Sequence, residues 1–215
     1  MTQETEQISR KDLERERHRR EIVLVAERIF SAKGYHATTI EEIAKASQFA
    51  VGTLYKLFKS KDDLYTFVIE GFIQQFMVEF EEKVQSIDDP EEAIAALIKL
   101  RLTHFDAHRD FIRIALQVGT ISQGCAPGSV PPHFIESHDH YIGEVTKIFA
   151  RGMERGIFDD GDPFFLALGM EGITKAFVAH WSRFTPTDSL ELRIAKMRRE
   201  FLERIKVRLD VPRPV

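Results

Sequence analysis

Residues 38–64 of this 215-residue chain read TTIEEIAKASQFAVGTLYKLFKSKDDL and contain side chains suited to contacting DNA. Their spacing predicts a helix, a tight turn, a second short helix and the capped start of a third. The middle helix would carry small, hydroxyl, aromatic and basic groups on its free face, which is how proteins present side chains to the major groove. The candidate DNA-contacting residues are Thr38, Thr39, Ala50, Val51, Gly52, Thr53, Tyr55, Lys56 and Lys61.

The residue types on this face suggest how they would act. Thr53 and Val51 are small enough to meet base edges or a thymine methyl group. Gly52 inside a helix costs about 1 kcal/mol relative to alanine, and close approach of the protein backbone to DNA would explain its presence. The side chains expected to meet phosphate oxygens are those of Thr38, Tyr55, Lys56 and Lys61.

Helical periodicity runs through almost the whole chain, without a convincing strand, so the predicted fold class is all-α with about nine helices. A disordered tail is expected over residues 1–14, a three-helix DNA-binding domain over 15–60, and a helical ligand-binding and dimerisation domain over 61–215. The predicted helices cover residues 15–33, 40–46, 51–58, 61–84, 90–108, 110–118, 132–155, 163–184 and 189–209. Thr39, Ser60 and Asp89 are expected to cap three of them.

Charge and composition favour a cytoplasmic protein that presents one mildly basic end to a polyanion. Residues 1–61 hold twelve Lys and Arg against nine Asp and Glu, whereas the remainder holds eighteen against twenty-five. The N-terminus lacks the apolar core of a signal peptide, and the most apolar stretch is too short to span a bilayer. The single cysteine, Cys125, excludes an internal disulfide.

Enzyme and metal sites are not indicated, and no cofactor is expected. The sequence lacks a phosphate-binding glycine loop, a nucleophile elbow and an H-E-x-x-H motif. Cys125 with His133, His138 and His140 is not expected to form a metal site, because His138 and His140, two residues apart on a helix, diverge. The competing interpretation is an all-helical small-molecule-binding protein or enzyme with a vestigial helix-turn-helix.

The segments AERIFSAKGYHATTIEEIA and GTLYKLFKSKDDL resemble the DNA-binding region of the TetR family of transcriptional regulators. The resemblance covers about residues 20–65. It implies a homodimeric, ligand-responsive regulator, expected to be a repressor, which binds a near-palindromic operator in double-stranded DNA and is released by a hydrophobic small molecule. By the family pattern Thr38, Gly52, Thr53, Tyr55, Lys56 and Lys61 would contact DNA. Three residues depart from that pattern: Gln48, Phe49 and Ala50.

The rest of the chain is rich in phenylalanine, with fourteen of seventeen beyond residue 60. An apolar cavity with few polar groups is the usual form of a small-molecule site, although core packing also explains each aromatic residue taken singly. The candidate ligand-binding residues are Phe72, Gln75, Phe76, Phe105, His108, Phe111, Phe134, His138 and Tyr141. A ligand among these helices is expected to shift the helix that begins at Lys61 and so change the separation of the two DNA-reading helices.

The last two helices are predicted to form the subunit interface. Apolar residues recur on one face of the final helix at three to five residue spacing, and the helix before it is apolar most of the way round. A four-helix interface across a two-fold axis would bury the apolar surfaces of both helices. Packing of these surfaces within the subunit is the alternative. The candidate interface residues are Phe177, Trp181, Leu190, Ile194, Met197, Phe201 and Ile205.

Overall fold

The computed structural model describes residues 10–109, 112, 132–183 and 187–206, and these ranges are helical with no strand. The helices are α1 (Arg10–Lys33), α2 (Ile40–Ala46), α3 (Val51–Leu57), α4 (Lys61–Phe80), α5 (Pro90–Ala107), α6 (Pro132–Glu154), α7 (Pro163–Arg183) and α8 (Leu190–Ile205). A π-helical turn, Glu81–Gln85, follows α4. An isolated bridge pairs Phe158 with Lys206. The all-α prediction is therefore confirmed.

Side-chain caps start the helices where the sequence predicts them. The Thr39 hydroxyl accepts a hydrogen bond from the Glu42 amide at 3.2 Å, and Ser60 accepts one from the Asp63 amide at 3.1 Å. Asp89 accepts from the Glu92 amide at 2.8 Å, with Pro90 in the first helical position. The Glu42 carboxylate pairs with Lys33, so Thr39 caps α2 without the reciprocal bond that a glutamate three residues on can supply.

Some boundaries differ from the predicted ones. The first helix begins at Arg10 rather than Arg15, so residues 10–14 are helical and not part of a disordered tail. The helix predicted over 61–84 is interrupted by the π-helical turn after Phe80. The helix predicted over 110–118 lies outside the described residues apart from Ile112.

The chain divides into two compact units, Met1–Phe72 and Ile73–Val215. In the first unit the core includes Ile22, Ala26 and Phe30 of α1, which pack with the buried residues of α2 and α3. In the second unit α5 is central and packs against α6, α7 and α8. No helix in the described ranges is both long and apolar enough to cross a membrane.

Candidate nucleic-acid interface

α2, the turn after it and α3 form a packed pair of short helices. Ile43 and Ala44 of α2 and Leu54 of α3 are buried, and α2 contacts α3 directly, as the sequence predicts. The Ser47 hydroxyl closes the end of α2 by donating to the Ile43 carbonyl at 2.7 Å. Because the apolar residues of α3 face inward, its opposite face points away from the core of this unit.

The three residues that depart from the family pattern occupy the turn. Gln48 has φ of 60°, a left-handed conformation that glycine adopts without cost and that other residues adopt at a penalty. Phe49 lies against His18 of α1, with ring centroids 4.9 Å apart in an edge-on arrangement. Ala50 precedes α3 and supplies no side-chain cap, so α3 starts from backbone hydrogen bonds such as Thr53 N to Ala50 O, 2.8 Å. The Phe49 ring therefore packs the turn against α1.

The outward face of α3 carries the predicted contact residues. Gly52 and Lys56 are exposed, and the Tyr55 side chain is 54% exposed, which is unusual for a large aromatic group. Val51 and Thr53 are half-buried beside them, while Ala50 and the α2 cap Thr39 are exposed. A methyl group added at Gly52 would meet no atom of the chain within 4 Å. Packing within the protein therefore does not require glycine at this position.

Thr38 and Lys61 have different roles from those predicted. Thr38 is 1% exposed, and its hydroxyl donates to the Gly34 carbonyl at 2.8 Å, so it is not presented to a phosphate. The Lys61 ammonium donates to the carbonyls of Tyr35 and Thr38, each at 3.0 Å, and lies 4.3 Å from the Tyr35 ring centroid. Both residues instead join the first turn of α4 to the α1–α2 connection. The Tyr35 hydroxyl adds to this by donating to Asp62.

Arg19 is a positioning residue that the sequence argument missed. Its Nη2 donates to the Leu57 carbonyl at the end of α3 at 3.1 Å. Its guanidinium carbon lies 4.1 Å from the Phe67 ring centroid and 5.4 Å from that of Phe58. Residue type does not distinguish Arg19 from the neighbouring arginines Arg15, Arg17 and Arg20, which are exposed. Its spacing of three residues from Ile22, which begins the apolar stripe of α1, is the signal that distinguishes it.

The candidate ligand residues that the structure describes are spread between buried and exposed positions. Tyr141 is buried and packs against Phe76 and Phe80, with ring centroids 5.5 and 5.2 Å away. Gln75 is exposed and donates to Glu79 at 3.3 Å, and His138 is exposed on α6. Gln75 therefore faces solvent, whereas His138 lies at the surface with its Nε2 3.8 Å from the buried Glu171 carboxylate.

The remaining candidates divide into three groups. Phe105 and His108 are half-buried near the end of α5, and the His108 ring lies 4.9 Å from that of His104. Phe72 is half-buried on α4. Phe111 and the side chain of Phe134 lie outside the described residues. Among the described residues, no group of three His, Cys, Asp or Glu side chains is placed to hold a metal ion.

A buried ion pair, Arg101 with Glu171, was not predicted. Arg101 Nη1 donates to Glu171 and, at 2.8 Å, to the Tyr141 hydroxyl. Burial opposes the charge on Glu171, but the positive charge of Arg101 outweighs it and holds the pKa of this carboxyl well below its usual value; His138 Nε2 at 3.8 Å and Lys175 Nζ at 2.9 Å act in the same direction. Burial raises the pKa of Tyr141 to about 12, against the opposing effect of the Arg101 charge. The pair cross-links α5 to α7.

The apolar face of the final helix belongs to the subunit core, which corrects the predicted interface. Met197 and Phe201 are buried, and the Phe201 ring lies 6.1 Å from that of Phe149 on α6. The other α8 members of the predicted interface, Leu190, Ile194 and Ile205, pack against the same core. α5 is the main partner of this face. The stripe was attributed to a second subunit because its periodicity does not reveal which surface covers it.

α7, in contrast, leaves an apolar face uncovered. Its large exposed side chains are Phe164, Phe165, Leu168, Ile173 and Phe177. Gly169 and Gly172 lie on the same helix, and an added methyl group at either would meet nothing within 4 Å. Trp181 is half-buried and stacks at 5.3 Å on Phe177. An apolar surface of this kind is typical of an interaction site.

The part of the chain that contains α2, the turn and α3 is similar in sequence to known proteins. Residues 22–66 match the profile of the family described as bacterial regulatory proteins, tetR family. The HTH-type transcriptional regulator HbdR of Aromatoleum is 27% identical over 95 residues, covering 44% of this chain and 42% of that protein. The HTH-type transcriptional repressor KstR2 of Rhodococcus jostii is 29% identical over 96 residues, covering 45% and 47%. The chain thus spans about half the length of the curated relatives it matches.

Solved structures share the fold over most of the chain. A transcriptional regulator from Saccharomonospora viridis, solved in complex with choline, superposes with a TM-score of 0.77 over 90% of this chain and all of its own, at 22% identity. The fatty acid degradation regulator FadR from Bacillus halodurans gives 0.72 over 86% of this chain and 94% of its own, at 19% identity. At these identities the likeness concerns the fold alone. The resemblance noted in the sequence is confirmed: residues 22–66, which include α2, the turn and α3, match the tetR family of bacterial regulatory proteins, and the described residues share the all-helical fold of the solved regulators.

Proposed function

We propose that the protein is a homodimeric, ligand-responsive transcriptional repressor that binds a near-palindromic DNA operator. The observation that carries this proposal is the outward face of α3, where Gly52, Tyr55 and Lys56 are exposed while Leu54 and Leu57 are buried. A short helix with small, aromatic and basic groups facing outward fits the major groove and its flanking phosphates. The competing interpretation, a vestigial helix-turn-helix, gives no reason for an exposed aromatic side chain between a glycine and a lysine.

The predicted DNA contacts divide by position. Val51, Gly52 and Thr53 lie at the start of α3, where small groups allow close approach to base edges. The groups proposed to meet phosphates and sugars are Thr39, Ala50, Tyr55 and Lys56. Lys61 and Thr38 act indirectly in this proposal, because they hold the first turn of α4 against the α1–α2 connection.

The experiment that tests DNA binding is a salt-dependent gel shift on duplex DNA from upstream of the protein's own gene, with Gly52→Ala as the variant. Alanine at this helical position should leave the fold intact and stabilise it by up to about 1 kcal/mol, yet weaken DNA binding at least tenfold by blocking close approach. Gly143→Ala on α6 is the matched control, since an added methyl group there also meets nothing within 4 Å. Equal DNA affinity for both variants would contradict the proposed contact.

A second variant tests the phosphate contacts separately. Lys56→Ala removes an exposed cation from α3. It should reduce the slope of log affinity against log salt concentration by about one, because one phosphate contact fewer releases one counterion fewer.

The effector is proposed to bind in the second unit, as a small molecule with an apolar part. One structural relative is a fatty acid degradation regulator and another was solved in complex with choline; these descriptions apply to those two proteins. A ligand releases the protein from DNA only when it binds the conformation that does not bind DNA more tightly than the conformation that does. We propose that this state alters the separation of the two α3 helices of the dimer, which must lie about 34–36 Å apart to reach successive major grooves.

A further inference from the structure

A small pocket lies in the second unit where the end of α5 meets α7 and α8. Its walls include Phe105, Asp106, Arg109, Val178, Trp181 and Arg193. Its volume is about 20 Å³ when measured as the space open to the centre of a water-sized sphere, and about 300 Å³ when all the space between its walls, including open solvent, is counted. The smaller measure leaves room for roughly one water-sized polar group. A larger ligand would therefore insert only a small head and leave the remainder in the open part.

Arg193 supplies a buried donor in this pocket. The residue is only 8% exposed, and its Nη2 donates to Asp106 Oδ1 at 2.6 Å. Its Nε is buried and has no hydrogen-bond partner among the described residues. A guanidinium group presents its N–H groups in a planar fork that matches a carboxylate. Since this Nε has almost no accessible surface, an acceptor entering the pocket would meet the other N–H groups of the Arg193 guanidinium, which lines it.

The charges around the pocket favour an anion. Arg193 and Arg109 line it against the single carboxylate of Asp106. Arg109 Nη2 lies 3.3 Å from the Trp181 carbonyl, to which it donates. Glu191 interacts electrostatically with Arg193 and Asp106, but it is exposed in the first turn of α8 and outside the lining, where water screens it. Because Arg109 is already engaged, Arg193 is the cation of the described lining that we consider for an incoming anion.

The other walls are apolar and aromatic. The Arg193 guanidinium carbon lies 5.1 Å from the Trp181 ring centroid, and Phe105 and Val178 complete the apolar side. We propose that this pocket binds a small organic monocarboxylate with an apolar or aromatic tail, whose carboxylate is held by Arg193. The role of this carboxylate as the effector rests on the proposed function. Its binding in the pocket does not, because that binding does not involve DNA.

The direct test uses intrinsic fluorescence, since Trp181 is the single tryptophan of the chain. Benzoate should change the emission saturably, and the neutral isostere benzamide should bind at least tenfold more weakly. Arg193→Gln should weaken benzoate binding at least tenfold. The matched control is Arg199→Gln on the exposed side of the same helix, which should bind benzoate as the wild type does.

Several results would overturn the pocket assignment. These are equal binding of benzoate and benzamide, unchanged affinity in Arg193→Gln, or no saturable change with benzoate. Circular dichroism and thermal unfolding report whether Arg193→Gln folds, and the benzoate–benzamide comparison on the wild-type protein decides the question if it does not.

A second arm separates the pocket from the regulatory function. Benzoate that weakens the gel shift on upstream DNA supports an effector site. Benzoate binding with unchanged DNA affinity overturns the effector role and leaves the carboxylate pocket standing. Absence of any DNA binding would contradict the proposed function, whereas the fluorescence result would still decide the pocket.

Discussion

Tyr141 shows how a single buried hydroxyl can make stability depend on pH. Its phenol accepts a hydrogen bond from Arg101 at 2.8 Å, and burial raises its pKa to about 12. Unfolded tyrosine ionises near pH 10. The folded protein therefore binds the proton more tightly, and the stabilisation is fully present below pH 10 and is lost as pH rises from 10 to 12.

We expect the free energy of unfolding to fall on the order of 2–3 kcal/mol over that interval because of Tyr141. Urea unfolding at a series of pH values between 8 and 12 measures this loss. Tyr141→Phe should show a flatter alkaline dependence, whereas Tyr55→Phe, which deletes an exposed phenol, should follow the wild type. Superimposable curves for wild type and Tyr141→Phe would contradict the expectation.

At the scale of residues, sequence reasoning identified the α3 face but not the partners of buried charges. Gly52, Tyr55 and Lys56 were recognisable because helical spacing alone decides which face they share. Thr38 and Lys61 are expected at DNA because a hydroxyl and an ammonium group suit phosphates, yet Thr38 donates to the nearby Gly34 carbonyl and Lys61 donates to carbonyls of the α1–α2 connection. Such pairings depend on how the helices meet, which the pattern of residue types does not specify.

The end of α6 shows how one glycine can fix the geometry of an element. Gly156 has φ of 66°, and the Ile157 amide donates to the Gly152 carbonyl at 2.9 Å, so the helix ends in a Schellman turn. The chain then brings the buried Phe158 ring back over Gly152, where an added methyl group would overlap it. Gly152 is thus required by packing rather than by its backbone conformation.

Gly152→Ala should destabilise the protein by about 1–3 kcal/mol, because the overlap with Phe158 outweighs the better helix propensity of alanine. Gly143→Ala, on the same helix with no atom near the added methyl group, should instead stabilise by up to about 1 kcal/mol. Chemical denaturation of both variants gives the comparison. A stabilised Gly152→Ala would show that the Phe158 ring can move away without cost.

Elements were predictable wherever a local signal marks them. Thr39, Ser60 and Asp89 cap their helices through side-chain hydrogen bonds over three residues, so the starts of α2, α4 and α5 were found. The π-helical turn after Phe80 carries no comparable mark and was missed. The α8 stripe was recognised as apolar, but its partner was assigned wrongly because either subunit would satisfy the same periodicity.

At the scale of the whole molecule, the exposed apolar face of α7 is the feature that the subunit alone does not account for. Phe165 is 72% exposed, and Leu168, Ile173 and Phe177 are each more than two-fifths exposed on the same helix. A two-fold axis would set this face against its own copy, since an isologous interface uses the same surface twice. The small residues Gly169 and Gly172 would let the paired helices approach closely.

Phe165→Glu should therefore convert the proposed dimer into a monomer, because the interface would bury two unpaired carboxylates, one from each subunit. Sedimentation velocity at micromolar concentration should give the mass of one 24.8 kDa chain for the variant and twice that for the wild type. Leu24→Glu on α1 is the matched control, since Leu24 is 66% exposed and lies on the other unit. The monomeric variant should also lose operator affinity steeply, because a single α3 reaches only one half-site. A dimeric Phe165→Glu would place the subunit contact elsewhere, and a monomeric wild type would remove the spacing mechanism altogether.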